Sequence, residues 1–340
     1  MDTRIADPGQ VLSEAASLLA AGELVAFPTE TVYGLGADAT NPAAVARIFQ
    51  IKGRPSENPL IVHVADARGA RRWVREFPII AEVLAEKFWP GPLTLVLPRA
   101  VRICPAVAAG LDSVAIRVPA HPAALALLAA VDRPIAAPSA NRSGRVSPTT
   151  ARHVLDEFNG MIPLILDGGP CQVGVESTVL DLTVGKPVIL RPGGVTPSML
   201  ESALSSAGLP VQLSFASGDS SSVDKKFKSP GLMERHYAPR TPAYRFRVDQ
   251  IRRVTNWLQQ FDHRSSVVLL RFADCPNSII VKSVEMLPDD PVACARNLYS
   301  MLRRLDHQDH DAILIQMPTQ TGDLWAAIAD RLMRATKELP

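Results

Sequence analysis

Short apolar runs alternate along the first part of the chain with segments whose apolar residues recur at helical spacing. Between Pro8 and Ala21, valine, alanine and leucine return every three or four residues, which predicts an amphipathic helix. Leu24–Phe27 and Leu60–Val64 are short apolar runs typical of buried strands. Roughly seven such strands interleave with helices, so residues 1–212 are predicted to form an α/β domain with a twisted, mixed and open sheet flanked by helices.

Capping residues predict where the helices of this domain begin. A side-chain acceptor is followed by proline at Asn41-Pro42, at Thr196-Pro197 and at Ser147-Pro148, and Asp66 is a further candidate N-cap. By the same rule, a helix should run from Ser147-Pro148 to Phe158.

A change in composition predicts a boundary near residue 213. Residues 213–230 are rich in serine, glycine, aspartate and lysine, so residues 213–240 are assigned to an interdomain linker or lid. Residues 241–340 again alternate predicted helices and strands, and they indicate a smaller α/β domain that is Rossmann-like in outline. This part has no glycine-rich phosphate fingerprint, so we predict no dinucleotide site there.

Composition narrows the functional classes. A net charge of +2 and an aromatic content of 5% disfavour binding of nucleic acid by bulk charge or by stacked bases. The four cysteines are far apart and form no CxxC pair, which disfavours a zinc site or a disulfide framework and fits a reduced cytosol. No apolar run reaches about 18 residues, so we expect a cytoplasmic protein without a membrane span.

Two cations follow a segment that is rich in hydroxyls and glycines, residues 28–36. Lys52 and Arg54 lie on a loop that Gly53 and Pro55 keep out of regular structure. This order predicts a pocket for an anionic ligand such as a phosphate. The alternative is a surface turn with two solvated charges.

Two further cations, Arg117 and Arg191, end strands that are otherwise apolar. A buried guanidinium needs a partner, because an unpaired buried charge costs several kcal/mol. The partner is either an internal carboxylate, such as Asp181 or Glu176, or the carboxylate or phosphate of a ligand in a bidentate grip.

Polar residues also stand at the ends of predicted strands. Ser139 and Asn141 follow one strand and Ser177 precedes another, where they either reach a phosphate or satisfy local turns. His63, within a strand, is either a satisfied core residue or a ligand contact. The sequence contains no nucleophile motif and no metal-spaced His/Cys group, so an enzyme of this kind would position its substrates and neutralise charge.

These motifs together resemble the threonylcarbamoyl-AMP synthase family, which has the YrdC-like fold. The resemblance covers about residues 10–210 and follows, in order, PTETVYGLG, KGRPSENPLIVHV, SVAIRVP, APSANRSGRVSPT, GVESTVLDL and ILRPG. The segment SPGLMERHYAP and the smaller domain resemble the longer, two-domain form of the family. Met233 and Glu234 depart from its pattern, which more often has a lysine and an aromatic residue there.

The resemblance implies a nucleotidyltransferase that makes L-threonylcarbamoyl-adenylate and pyrophosphate from L-threonine, bicarbonate or CO2, and ATP with Mg2+. The product would feed the N6-threonylcarbamoyl modification of adenosine next to the anticodon of tRNA. Other proteins would carry out the transfer to tRNA, and a weak contact with tRNA is a further expectation. No metal ligand from the protein's own side chains is implied.

The family's motifs also imply roles for individual residues. The expected contacts of L-threonine are Thr31, His63, Arg117, the backbone of Ala137, and Ser177. The expected surroundings of ATP are Lys52, Arg54, Asn58, Ser113, Ser139, Asn141, Ser147 and Arg191, with His236 and Tyr237 in a lid. Lys52 and Arg54 are the expected catalytic residues.

Two other functions remain as alternatives. One is an RNA-binding module of the same fold without catalysis. The other is carbamoyl transfer in hydrogenase maturation, although that family adds zinc-finger segments whose cysteines this chain lacks.

Overall fold

The structure, a computed structural model, describes residues 2–216, 236–262, 265–276 and 278–340. The chain divides into two compact units. The first contains Met1–Ser143 and Ser147–Leu232, and the second contains Gly144–Val146 and Met233–Pro340. Most of the predicted linker, including Met233 and Glu234, lies outside the described residues.

The first unit is built on one mixed sheet. Its strands are β1 (Arg4–Ala6), β2 (Val25–Phe27), β3 (Gly34–Asp38), β4 (Ile61–His63), β5 (Leu93–Pro98), β6 (Ser113–Arg117), β7 (Ile135–Ala136), β8 (Leu164–Leu166), β9 (Thr178–Asp181), β10 (Val188–Arg191) and β11 (Ser214–Phe215). Within the described residues, these eleven strands take the order β1-β8-β2-β3-β7-β4-β6-β5-β9-β10-β11. Parallel pairs, such as β4 with β6, alternate with antiparallel pairs, such as β5 with β6.

Helices cover this sheet unevenly. They are α1 (Pro8–Ala20), α2 (Pro42–Lys52), α3 (Ala67–Arg71), α4 (Ile79–Phe88), α5 (Pro122–Val131), α6 (Ala151–Phe158) and α7 (Pro197–Ser206). The main core joins strands to α2, α4, α6 and α7, whereas α1 and α5 pack on the opposite face against β2, β7 and β8. Each large aliphatic side chain buried in these layers contributes about 1.5–3 kcal/mol.

The central strands also have a face that is turned away from the main core. Val62 of β4 points into that core, while its neighbour Ile61 packs on the other face against Val96, Ala115 and Val179. Among the described residues, this small apolar cluster contains strand residues only. Polar side chains on the same face therefore stand next to strands and have no helix packed over them within that cluster.

The helix α2 fixes the position of two predicted site residues. The Asn41 side chain accepts hydrogen bonds from Ala43 N at 3.0 Å and Ala44 N at 3.2 Å, as an N-cap does. Gly53 ends the helix in the left-handed conformation, with φ of 61°. Glycine adopts this conformation without a Cβ clash, so the chain turns directly after Lys52.

The second unit is a smaller α/β fold. Its strands are β12 (Ala243–Phe246), β13 (Val267–Arg271), β14 (Ser283–Met286), β15 (Ala312–Gln316) and β16 (Lys337–Glu338), and its helices are α8 (Ile251–Leu258), α9 (Pro291–Asp306) and α10 (Asp323–Ala335). In its described residues, the five strands pair in parallel in the order β14-β13-β15-β12-β16. The fold class predicted from the sequence is thus confirmed for both units.

One predicted helix start is wrong. The helix α6 begins at Ala151, and its N-cap is Thr150, whose hydroxyl accepts from His153 N at 3.2 Å. Ser147 is fully buried and instead donates a hydrogen bond to Glu176 Oε1 at 2.6 Å. The Ser-Pro pair has the residue types of a cap, but a nonlocal partner outcompetes the local backbone for its hydroxyl.

Several strands were not predicted. Gly34–Asp38 was interpreted as part of a ligand-binding loop, yet it forms β3 between β2 and β7. The strands β1, β11, β12, β14 and β16 were also missed. In the described part of the chain, no helix is long and apolar enough to span a bilayer.

Candidate active site

Strand register brings His63 and Arg117 together. The strands β4 and β6 pair in parallel with His63 opposite Arg117 and Ile61 opposite Ala115. Since side chains alternate along a strand, all four lie on one face of the sheet. His63 and Arg117 are buried, with exposed fractions of 4% and 3%.

Arg117 is held by three groups. Its Nη2 lies 2.6 Å from Glu30 Oε1, its Nη1 donates to Thr31 Oγ1 at 3.0 Å, and its Nε donates to Gly91 O at 3.1 Å. The internal carboxylate is therefore Glu30, not Asp181 or Glu176 as the sequence suggested. Glu30 also accepts from Ala120 N at 3.0 Å, which fixes the second oxygen of the carboxylate.

This group retains unused hydrogen-bonding capacity. Among the described residues, His63 Nδ1 is a buried ring nitrogen that forms no aligned hydrogen bond, whereas Glu30 Oε1 and Arg117 Nη2 lie 2.6 Å apart as an ion pair. Glu30 and Arg117 are in ion-pair contact, but their closest atoms do not form an aligned hydrogen bond. Buried polar atoms are nearly always satisfied, so the His63 ring nitrogen beside this ion pair indicates a place for a ligand.

A second group surrounds Ser177, at the start of β9. The Ser177 hydroxyl lies 2.8 Å from Thr94 Oγ1 and accepts from Arg191 Nη2 at 3.2 Å, while Arg191 Nε donates to Ser177 O at 3.1 Å. The chain after Arg191 passes close to the backbone of residues 176–178. A Cβ on Gly193 would lie only 2.4 Å from Glu176 O. Only glycine permits this approach, which brings Arg191 to Ser177.

A third group surrounds Lys52. Its Nζ donates to Ser139 O at 2.6 Å and also to Asn141 O. Lys52 has an exposed fraction of 3%, so the alternative of a solvated surface turn is wrong. Burial, and next the charge of Arg54, lower the pKa of Lys52 well below its usual value, and the charge of Glu157 opposes this change.

Arg54 organises the loop that leads into β4. Its Nε donates to Asn58 O at 3.1 Å and its Nη2 donates to Pro59 O at 2.8 Å. Arg54 and Asn58 are both buried. Ser113 is half-buried and is the first residue of β6. Because β6 is parallel to β4, Ser113 lies near the start of β4, on the side of Asn58 and away from Arg117.

The other expected contacts have definite positions. Ala137 already uses its backbone N–H to donate to Ile61 O at 2.9 Å. Asn141 is buried and donates from Nδ2 to Arg142 O at 2.8 Å. The first unit thus groups Thr31, His63 and Arg117, then Ser177 and Arg191, then Lys52, Arg54, Asn58, Ser139 and Asn141.

His236 and Tyr237 belong to the second unit. Their ring centroids are 4.1 Å apart in an edge-on arrangement, and Tyr237 stacks on Tyr299 at 5.6 Å. Tyr237 has φ of 63°, a left-handed conformation that is strained for an aromatic residue. Its surroundings hold this conformation, because Tyr237 is 1% exposed and Arg331 lies 5.5 Å from its ring.

Sequence reasoning missed Glu30 and Thr94 as members of these groups, and it named Glu176 only as a possible partner of a buried arginine. Glu30 directly precedes Thr31, which was singled out, whereas Thr94 was interpreted only as part of a strand. The signal for Glu30 was a carboxylate within a predicted ligand segment, in a chain whose Arg117 required a counter-charge.

His63 makes stability sensitive to acid. Burial, and next the charge of Arg117, lower the pKa of His63 from 6.5 to about 3. Between these values the unfolded chain binds more protons than the folded one, so the free energy of unfolding should fall as pH falls from 6.5 toward 3. His63→Gln should reduce this loss in the free energy of unfolding, by several kcal/mol at most. The measurement is chemical denaturation at a series of pH values. The exposed His307→Gln is the control, and equal acid sensitivity of wild type and His63→Gln would contradict the assignment.

Comparison with known proteins shows which family the chain resembles. The profile of the Sua5/YciO/YrdC family, described as telomere recombination, matches residues 17–193, and that of the threonylcarbamoyl-AMP synthase C-terminal domain matches residues 195–336. The chain is 42% identical to threonylcarbamoyl-AMP synthase of Pyrococcus abyssi over 95% of this chain and 93% of the relative. It is also 42% identical to the Bacillus subtilis protein of the same name, over 95% of this chain and 92% of that relative.

Solved structures agree with the sequence relatives. The crystal structure of P. abyssi Sua5 complexed with L-threonine has a TM-score of 0.86 and 40% identity, covering 98% of this chain and 97% of that one. The fold therefore defines an α/β protein of the Sua5/YciO/YrdC class, and its first unit contains buried cations. With its second domain also matched, the chain belongs to the threonylcarbamoyl-AMP synthase family.

Proposed function

We propose that this chain is an L-threonylcarbamoyladenylate synthase, a nucleotidyltransferase that forms threonylcarbamoyl-AMP and pyrophosphate from L-threonine, bicarbonate or CO2, and ATP. The observation that carries the proposal is the buried group of Glu30, His63 and Arg117, in which a carboxylate, a guanidinium and an imidazole match the amine, the carboxylate and the hydroxyl of an amino acid. The product would serve the threonylcarbamoyl modification of tRNA, with other proteins making the transfer.

The chemistry of threonine fits this group. Arg117 Nη2 can donate to the carboxylate, since a guanidinium suits a carboxylate in charge and geometry. Glu30 Oε1 can accept from the amine. His63 is neutral at pH 7 because its pKa is lowered, so its ring can bond the amine or the hydroxyl without adding a third charge. P. abyssi Sua5, whose structure contains L-threonine, supports this choice of amino acid.

The cationic residues suit ATP. Lys52, Arg54 and Arg191 are buried cations, and their charge would attract a triphosphate. Polar side chains of the same unit supply further donors: Asn58, Ser139, Asn141 and Ser147. Ser113 is also proposed for ATP, and the expected roles of His236 and Tyr237 stay predictions.

Mg2+ would be held chiefly by the phosphates. In the described residues, no group of three or more His, Cys, Asp or Glu side chains could hold a metal. Magnesium commonly binds through substrate phosphates and waters with few protein ligands, so the hydroxyl and amide side chains present fit a metal that enters with ATP. When bound, it would supply neutralisation of phosphate charge.

The reaction then needs placement rather than a nucleophilic side chain. The neutral amine of threonine attacks CO2 and loses one proton to solvent, which gives a carbamate, and a carbamate oxygen then attacks the α-phosphorus of ATP. The bond from the α-phosphorus to the bridging oxygen breaks, and pyrophosphate leaves with the electron pair. Lys52, Arg54 and Arg191 would stabilise the charge that moves onto pyrophosphate.

The alternative of an RNA-binding module explains less of the structure. Phosphate backbones are bound by exposed cations, because the charges must reach a bulky polymer. Here the four cations singled out from the sequence have exposed fractions of 3–7%. Such cations suit a small ligand that enters the protein.

A direct assay tests the proposal. We expect pyrophosphate release from ATP and bicarbonate to require L-threonine when each of the standard amino acids is offered in turn. Serine, which lacks the methyl group, should be the nearest competitor. Release without any amino acid, or equal release with all of them, would contradict the proposed reaction.

An effect of Arg117 on threonine binding can be separated from an effect on ATP binding. Arg117→Lys keeps the charge beside Glu30 but loses the planar fork, so the KM for threonine should rise at least about tenfold while the KM for ATP stays near wild type. Arg75→Lys, at an exposed arginine of the same unit, is the matched control. An equal rise in both KM values would place Arg117 elsewhere in the mechanism.

A further inference from the structure

The second unit contains a cavity of about 820 Å3, lined only by residues of that unit. This volume is within the range of small-molecule sites, about 300–1,000 Å3. Its residues come mainly from the segments that follow β12 and β15. We call it the switch-point pocket and define it by Arg247, Asp249, Arg253, Gln320, Met333 and Leu339.

Topology explains why a cavity forms there. In the sheet, β15 and β12 are neighbours, with β13 next to β15 and β16 next to β12. The connection from β12 through α8 leads to β13, and the connection from β15 through α10 leads to β16, so the two run in opposite directions across the sheet. Connections from two adjacent parallel strands thus depart in opposite directions, which opens a crevice at their carboxyl ends. Met317 N donates to Phe246 O at 2.8 Å and closes the floor of this crevice.

Two arginines of the pocket lining, Arg247 and Arg253, are exposed. The Arg247 side chain is 74% exposed, and its Nε lies 3.4 Å from Asp249 Oδ1, on a side chain that is 70% exposed. Arg253 donates through its Nε to Pro340 O at 3.0 Å, and among the described residues no Asp or Glu side chain forms an ion pair with it. Both guanidinium groups can therefore turn donors toward an anion.

The rest of the pocket is of two kinds. Gln320 Oε1 is buried and, among the described residues, has no hydrogen-bond partner, and both Gln320 and Asp249 line the pocket. Val248, Met317, Met333 and Leu339 supply an apolar wall. A free inorganic ion would use the arginines alone and leave this acceptor and this wall without a partner.

We propose that the switch-point pocket binds a nucleoside monophosphate. The phosphate takes Arg247 and Arg253, the ribose hydroxyls donate to Asp249 and Gln320 Oε1, and the base lies against Met333 and Leu339. A dinucleotide is a poorer match, because its pyrophosphate needs the backbone of a glycine-rich turn. The connection from β12 to α8 contains no glycine within residues 247–250.

Calorimetry on the full chain tests this site. AMP, GMP, CMP and UMP are titrated into the Lys52→Met variant, which we expect to weaken nucleotide binding in the first unit. We expect at least one of them to bind, and Arg247→Ala and Arg253→Ala in that background should each weaken binding by about tenfold or more. Arg252→Ala is the matched control, since Arg252 is exposed on the same helix but does not line the pocket.

Two comparison ligands test which class of ligand the pocket binds. Adenosine and inorganic phosphate should each bind at least about tenfold more weakly than the best monophosphate, because each uses only part of the lining. Adenosine binding equal to AMP would overturn the role of the arginines, and phosphate binding equal to AMP would overturn that of the apolar wall. Binding by none of the four monophosphates would overturn the proposal.

A structure locates the ligand independently. In wild-type crystals soaked with the best monophosphate, its phosphate should lie between Arg247 and Arg253. Density confined to the first unit would overturn the proposal. The outcome is read separately from the proposed reaction, since pyrophosphate release tests the first unit and these arginine variants test only the second.

Discussion

Replacing Lys52 with methionine is expected to lower pyrophosphate release by about a hundredfold to a thousandfold, the usual cost of removing one group that stabilises developing charge. Lys52 is a buried cation, and a methionine side chain fills nearly the same volume without charge. The measurement is the rate of pyrophosphate release at saturating threonine and ATP. Lys186→Met, at an exposed lysine of the same unit, should keep wild-type activity.

Stability separates this loss from misfolding. The pKa of Lys52 is lowered because the folded protein disfavours its charge, so removing the charge should leave the free energy of unfolding unchanged or raise it. The lost donor to Ser139 O and Asn141 O offsets part of that gain. A variant that is both inactive and strongly destabilised would contradict a role in charge stabilisation alone.

Proton uptake gives a second readout of the same residue. A bound triphosphate favours the charged form of Lys52, so ATP binding should raise its pKa and take up a proton between the lowered value and about 10.5. ATP affinity should accordingly fall as pH rises through the lowered pKa. Calorimetry in buffers of different ionisation enthalpy detects the uptake, which should disappear in Lys52→Met.

The sequence could predict the parts of this site that depend on neighbouring residues. Asn41 as a cap, Gly53 as a stop and Lys52 between them follow from the local conformational preferences of these residue types, and the structure has the same helix α2. The apolar runs around His63 and Arg117 likewise predicted strands, because their hydrophobic character is set within a few residues.

The parts that depend on distant partners could not be predicted in this way. Ser147 looked like a helix cap, but its hydroxyl bonds Glu176, 29 residues away. Glu30 is 87 residues before Arg117, and nothing in the local pattern distinguishes it from Glu176 or Asp181 as the counter-charge. The strand β3 was missed because its two glycines indicate a loop, whereas its neighbours β2 and β7 supply the pairing that overrides this preference.

Glycine in β3 also has a packing reason that only the structure shows. A Cβ on Gly36 would lie 2.9 Å from side-chain atoms of Phe27 and Ile135. These residues belong to the core beneath α1 and α5, so β3 can pass over that core only without a side chain at this position. The glycines that suggested a phosphate loop thus have a structural role next to the site.

Breaking the ion pair between Glu30 and Arg117 is expected to have the largest effect on stability. Glu30→Gln leaves the guanidinium without its counter-charge in a buried position, which should lower the free energy of unfolding by about 3–5 kcal/mol. Arg117→Met should cost a similar amount, because it leaves the Glu30 carboxylate buried alone. The double variant Glu30→Gln/Arg117→Met should recover much of the loss, since it removes both charges. Chemical denaturation of the four proteins measures this coupling.

The same cycle on the exposed pair of Arg71 and Glu82 is the matched control. These atoms are 3.0 Å apart, but the side chains are 50% and 41% exposed, so their coupling should stay below about 1 kcal/mol. A Glu30–Arg117 coupling no larger than this would contradict the view that the pair is a buried charge system. All three site variants should also lose threonine-dependent pyrophosphate release, including the restabilised double variant. Recovery of stability without recovery of activity would show that these two charges are retained for the bound amino acid, because an uncharged pair supports the fold as well.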